Sequence, residues 1–179
     1  RLPRSTVLRR SGDDNDPVER VVVANAEQLA IVVAAADPEP RPRLIDRALV
    51  AAYDAGMSPL LCLTKADLAD PETLLSTYRS LGVPWVVTER GGDLSEVRAR
   101  LQGRTSVLVG HSGVGKSTLV NALVPQANRE VGVVNAVTGR GRHTSTSAYL
   151  LELPEGTGWI IDTPGIRSFG LAHVQPEML

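Results

Sequence analysis

The segment Gly110-His111-Ser112-Gly113-Val114-Gly115-Lys116-Ser117 matches the pattern G-x-x-x-x-G-K-[ST] in full. Glycines at those places let the backbone wrap closely around a phosphate. Successive N–H groups and a following helix N-terminus then point at its oxygens. Gly110, His111, Ser112, Gly113, Val114, Gly115, Lys116, Ser117 and Thr118 are therefore expected to cradle a nucleotide phosphate chain. Lys116 reaches the β- and γ-phosphates in such a loop, and the Ser117 hydroxyl ligates Mg²⁺. His111 occupies a variable position, and its side chain reads as a spectator.

A second phosphate signal is Asp162-Thr163-Pro164-Gly165, which follows the apolar run Trp159–Asp162. By itself D-x-x-G is also a good turn. Behind a phosphate loop it reads as a hydrolase switch, with Asp162 holding Mg²⁺ through water and the Gly165 N–H on the γ-phosphate. Thr64-Lys65-Ala66-Asp67 has the form of a guanine-specificity box with Thr in place of Asn. A carboxylate at Asp67 accepts from both N1–H and N2–H₂ of guanine. Adenine would leave it unpaired, and that penalty is the source of discrimination. The Lys65 stem is expected to lie along the base with its ammonium reaching back to the phosphate loop. Thr88 stands where a supporting loop for the base is expected, although the Glu after it is not the usual small residue.

Between these signals lies Gly139-Arg140-Gly141-Arg142-His143-Thr144-Ser145-Thr146. A hydroxyl here could close over Mg²⁺ and the γ-phosphate, ordering with the triphosphate. Thr144 is the first choice and Ser145 its rival. Arg140, Arg142 and His143 are candidates for charge stabilisation. The residue after the D-x-x-G glycine often orients the attacking water as a Gln. Here it is Ile166, so His143 or a partner must complete the site, and slow unassisted turnover is expected.

Strands and helices must alternate to hold these loops. The sequence predicts strands over Gln28–Ala36, Pro59–Thr64, Val83–Val87 and Thr105–Val109, each a continuous apolar run suited to a sheet buried on both faces. Helices are expected over Arg43–Ala55, from Asp70-Pro71 to Leu81, from the Asp93-x-x-Glu96 capping box to Gly103, and over Lys116–Val124. Residues 126–146 read as a long polar loop. Ala148–Leu153 and Trp159–Asp162 read as an antiparallel hairpin about a Pro154–Gly158 turn. The implied fold is α/β, a three-layer P-loop NTPase domain with a mostly parallel sheet. Residues 1–19 read as an irregular arm that buries no face, and 20–179 as one domain.

Composition excludes other classes. The 179 residues are 42% apolar and 22% charged, enough for one full core. With 19 Lys+Arg against 20 Asp+Glu the net charge is −1, and only six residues are aromatic (Phe 1, Trp 2, Tyr 3). A free-standing nucleic-acid binder would show a basic excess and stacking rings. One cysteine, Cys62, rules out a disulfide scaffold. No apolar run approaches the ~20 residues of a membrane span, and no signal-peptide pattern opens the chain. A soluble cytoplasmic monomer is expected.

The motifs run TKAD, Thr88, GHSGVGKS, GRHTST, DTPG, with the base-reading half first. A standard GTPase begins with its phosphate loop, so this order resembles circularly permuted GTPases. Among them the chain is similar to the ribosome small-subunit-dependent family RsgA (YjeQ), through VVVANAEQLAIVVAAADP, GHSGVGKSTLVNAL, GRGRHTSTSAYLLEL and DTPGIRSFGL, over about residues 20 to 171. The resemblance implies GTP/GDP and Mg²⁺ as ligands, and hydrolysis stimulated by the 30S subunit and its rRNA during late small-subunit maturation. It also implies an N-terminal OB-fold and a C-terminal zinc module. Residues 1–179 hold neither, and no zinc site is expected in them. Thr64 for Asn, and Ser145 within the usual Thr run, are departures. Two other readings stay open: a nucleotide-dependent binding module with negligible turnover, and an ATP-using P-loop kinase in which TKAD is coincidental.

Overall fold

A computed structural model describes residues 3–10, 20–127 and 148–163. Five parallel strands form the body of a six-stranded sheet: β3 (Gln28–Ala34), β4 (Ser58–Thr64), β5 (Trp85–Val87), β6 (Thr105–Gly110) and β8 (Trp159–Asp162). The order across the sheet is β5-β4-β3-β6-β8-β7, and β7 (Tyr149–Glu152) closes it antiparallel to β8. The expected hairpin is therefore present.

Side-chain alternation explains why the central strands are buried throughout. Leu29, Ile31 and Val33 of β3 enter one core, with α1 (Pro42–Asp54) and α2 (Glu72–Arg79). Ala30, Val32 and Ala34 enter the other, with α3 (Ser95–Leu101) and α4 (Lys116–Leu123). Two helical layers thus sandwich the sheet, as the apolar runs require. Helix starts follow the sequence signals to within a residue or two. Asp70 Oδ1 accepts the Glu72 N–H at 2.9 Å, and Asp93 Oδ1 accepts the Ser95 N–H at 2.9 Å. These Ser95 hydrogen bonds hold the Asp93 carboxyl below the usual carboxylate range.

The N-terminal reading is corrected. Instead of an irregular arm, β1 (Val7–Arg10) pairs antiparallel with β2 (Arg20–Ala24) in a separate ribbon. Leu8 is fully buried and joins the α1–α2 core with Val23. Three scattered aliphatic residues, Leu2, Val7 and Leu8, in a basic decapeptide give no periodic signal, so the burial of Leu8 is visible only where the ribbon meets α1. The β3 strand also ends at Ala34, two residues short of expectation, where the Ala35 N–H bonds the Thr64 carbonyl at 2.8 Å.

Strand order determines where a ligand fits. The chain builds β3, β4 and β5 outward in one direction, then returns to the other side of β3 with β6 and β8. The crevice beyond the carboxyl ends of β3 and β6 is the switch point where α/β sheets bind ligands.

Candidate nucleotide site

Among the described residues, four of the predicted motifs leave the sheet at that carboxyl edge. Gly110 ends β6, Thr64 ends β4, Asp162 ends β8, and Thr88 follows β5. The phosphate loop needs its glycines for two separate reasons. Gly113 and Gly115 sit at φ 85° and 89°, a left-handed backbone that favours glycine. Gly110 has an ordinary φ, but a Cβ there would stand 2.7 Å from the Val32 carbonyl oxygen. Strand β3 therefore runs too close to admit any side chain.

One cavity is lined by Gly110, His111, Ser112, Gly113, Gly115, Lys116, Ser117 and Thr118 together with Asp162 and Lys65. A second cleft adjoins it, sharing Lys65, Gly115 and Thr118, and is walled by Thr64, Thr88, Glu89, Arg90, Gly91, Gly92, Leu94, Leu119 and Ala122. The phosphate-loop cavity and the cleft beside Thr64 and Thr88 are thus contiguous. Val114 of the loop is buried and faces the core. Ala66 and Asp67 lie on the turn beyond Lys65, where the Ala66 N–H bonds the Thr88 carbonyl at 3.2 Å. Asp67 is exposed and lies outside the cleft's lining residues.

Lys116 and Asp162 form a largely buried ion pair, Nζ to Oδ1, on the floor of the phosphate cavity. Ser117 lines the same cavity. A carboxylate and a hydroxyl supply hard oxygen donors of the kind Mg²⁺ takes, alongside phosphate oxygens, so the donor set fits that ion. Among the described residues no group of three His, Cys, Asp or Glu gathers as a metal site.

Thr64 is buried, and its Oγ1 lies 2.5 Å from the Val114 carbonyl of the phosphate loop and 3.3 Å from the Val33 carbonyl. Thr88 is also buried; its Oγ1 lies 3.3 Å from the Leu63 carbonyl. Lys65 departs from expectation. Its Nζ donates to the Asp37 carbonyl rather than to the phosphate loop. The cause is strand order: β3 lies between β4 and β6, so the continuation of β3 intercepts the ammonium. The His111 side chain has partners within the protein: its Nε2 is 3.0 Å from Arg41 Nη1 and its Nδ1 is 2.9 Å from the Ser112 carbonyl. Burial pushes the Cys62 thiol up to about 12, which leaves it inert as a nucleophile.

Sequence reasoning missed Thr163, which is buried and donates to the Leu108 carbonyl at 2.8 Å, fixing the strand end that carries Asp162. It also missed Arg41 and Asp37; the proline-rich run Asp37–Pro42 signalled only a break. His143, Thr144, Ser145, Gly165 and Ile166 lie outside the described residues.

The RsgA GTPase family model matches residues 1–172. The chain belongs to the RsgA GTPase family. A relative from Ectopseudomonas mendocina (strain ymp), named small ribosomal subunit biogenesis GTPase RsgA, is 48% identical over 184 residues, covering 98% of this chain and 52% of that protein. The Pseudomonas syringae pv. tomato protein of the same name is also 48% identical, over 97% of this chain and 52% of its own length. This RsgA-family chain therefore spans about half the length of the relatives it matches. The crystal structure of YjeQ from Thermotoga maritima superposes with a TM-score of 0.65 at 29% identity, over 97% of this chain and 55% of that one. YloQ, described as a circularly permuted GTPase, matches with a TM-score of 0.65 at 26% identity, over 99% and 54%. The permuted α/β fold read from motif order is the fold of these RsgA-type neighbours. No helix among the described residues is long and apolar enough to cross a membrane.

Proposed function

We propose that this chain is the guanine-nucleotide-binding, GTP-hydrolysing domain of a cytoplasmic factor acting on the small ribosomal subunit during its maturation. The observation that carries the reading is the pair of adjoining cavities at the switch point, with the phosphate loop lining one and Thr64, Lys65 and Thr88 lining the other. Lys116 binds the β- and γ-phosphates. Ser117 and Asp162 hold Mg²⁺, with Thr144 or Ser145 as a further ligand supplied by the GRHTST segment. When bound, Mg²⁺ neutralises charge on the phosphate oxygens. The Gly165 N–H and His143 complete the γ-phosphate end. Asp67 reads the base, and its exposed place on the turn leaves the carboxylate accessible to an entering guanine.

Ion pairing of Lys116 with Asp162 means that phosphate entry must divide the pair, the ammonium turning to phosphate and the carboxylate to the metal. With a net charge of −1 the chain carries no basic excess of the kind rRNA binding draws on, so contact with the 30S subunit and its rRNA is assigned mainly to other parts of the whole protein. The domain itself acts as a monomer.

Titration with GDP and ADP tests the guanine assignment. A strong GDP preference that disappears in Asp67→Ala is expected, whereas equal affinities would overturn it. Phosphate release by the whole protein, with and without small subunits, tests hydrolysis. Stimulation is expected. Its absence would favour a nucleotide-dependent binding module, the reading that Ile166 keeps open.

A further inference from the structure

The connection from β3 to α1, Asp37–Arg41, belongs to no nucleotide-reading motif, yet it touches both halves of the cleft. At one end the Asp37 carbonyl accepts Lys65 Nζ. In the middle, Pro38 lies against the phosphate loop, and a Cβ on Gly113 would stand 3.6 Å from Pro38 Cδ. At the other end, Arg41 Nη1 is 3.0 Å from His111 Nε2. A guanidinium only donates and a carbonyl only accepts. With Nδ1 on the Ser112 carbonyl and Nε2 facing Arg41, the ring carries its proton on Nδ1 and accepts at Nε2.

Polar ties hold this segment more than packing does. A small, mostly apolar cavity lies behind it, bounded by Pro38, Leu44, Ala48, Val109 and Val114. The segment is therefore not pressed onto the core along its length. Arg41 is anchored at its backbone, because its carbonyl accepts the Leu44 N–H at 2.9 Å and Pro42 begins α1. The guanidinium is thus presented from the start of a 13-residue helix whose inner face is buried.

We propose that Asp37–Arg41 is a strap that sets the spacing between the base-binding and phosphate-binding halves, with Arg41, acting through His111, as its positioning residue. The proposal rests on the guanine-nucleotide reading above. A ligand that spans both halves feels the strap, whereas one that occupies only the base half does not.

The test compares GDP with guanosine on the intact chain. Arg41→Ala and His111→Phe are each expected to weaken GDP binding about tenfold, the scale of losing one charge-assisted hydrogen bond. Guanosine affinity stays within about twofold, since it omits the phosphate half. His111→Gln restores most of the loss, because its amide oxygen accepts from Arg41. The double variant is no worse than either single variant, the mark of one shared interaction. If Arg41→Ala does not fold, the pair His111→Gln and His111→Phe carries the test without touching α1. Wild-type GDP affinity in Arg41→Ala, an equal loss for guanosine, additive effects, or a lowered melting temperature with unchanged GDP affinity would each overturn the strap. A wild-type chain that fails to prefer GDP over ADP would instead overturn the underlying guanine reading.

Discussion

The Thr64 hydroxyl has one proton and two carbonyls within reach, and the shorter approach is to Val114. It thereby ties the end of β4 to the phosphate loop. Replacing it with valine keeps the volume and removes the buried donor. Thr64→Val is expected to cost about 1–3 kcal/mol of stability, the cost of an unmade buried hydrogen bond, and to weaken GDP binding. Thr64→Ser should recover most of both, as read by thermal melting and titration. Tyr78 makes a different point. Burial first, then its hydrogen bond to Asp46, raise the phenol above its ordinary value. A raised folded value means that this contribution is fully present below the unfolded tyrosine value of about 10 and is lost as pH rises beyond it. Melting curves across that alkaline range should fall more steeply for the wild type than for Tyr78→Phe.

Among the elements, β6 and β3 matter most because their register puts Val32 opposite Gly110, where the phosphate loop begins. A methyl group at Gly110 meets the Val32 carbonyl at 2.7 Å and Val114 Cγ2 at 3.0 Å. Gly110→Ala is expected to destabilise by about 1–3 kcal/mol, as overpacked sites do. GDP affinity should fall by more than that stability loss explains, because the loop is displaced along with the strand end. Isothermal titration on the folded fraction separates the two effects. Helix α4 is held from the opposite end: Arg98 of α3 donates to the Ala122 carbonyl at 3.1 Å. Arg98→Ala is expected to lower the melting temperature slightly and to leave nucleotide selectivity alone, since the phosphate-facing end of α4 is fixed by β6.

For the whole molecule, the β1–β2 ribbon is a working part of the core. Leu8 is fully buried among residues that include α1 and Val23. Leu8→Ala is expected to cost about 2–5 kcal/mol, the range for emptying a buried leucine site. An irregular arm would predict no change, so chemical denaturation distinguishes the two directly. Because Arg41 caps the start of α1, loosening the far side of that helix should reach the nucleotide cleft as weaker GDP binding, measurable in the same variant.

The sequence by itself determined the phosphate loop, the order of the motifs and the alternation of strands with helices. All of these are local: glycine spacing, apolar runs and capping residues act over a few neighbours in the chain. The permuted architecture also followed, because motif order is a property of the chain and not of its folding. Tertiary structure decided the rest. Only packing could bury Leu8, and only polar contacts between distant segments could turn the proline-rich break into a strap across two motifs. Only strand order could place β3 between Lys65 and the phosphate loop and so redirect the ammonium to Asp37. Lys116 and Asp162 lie 46 residues apart, and their pairing depends on β6 and β8 lying side by side. Contacts between distant segments leave no period or spacing in a single sequence, and for that reason they became visible only in the folded chain.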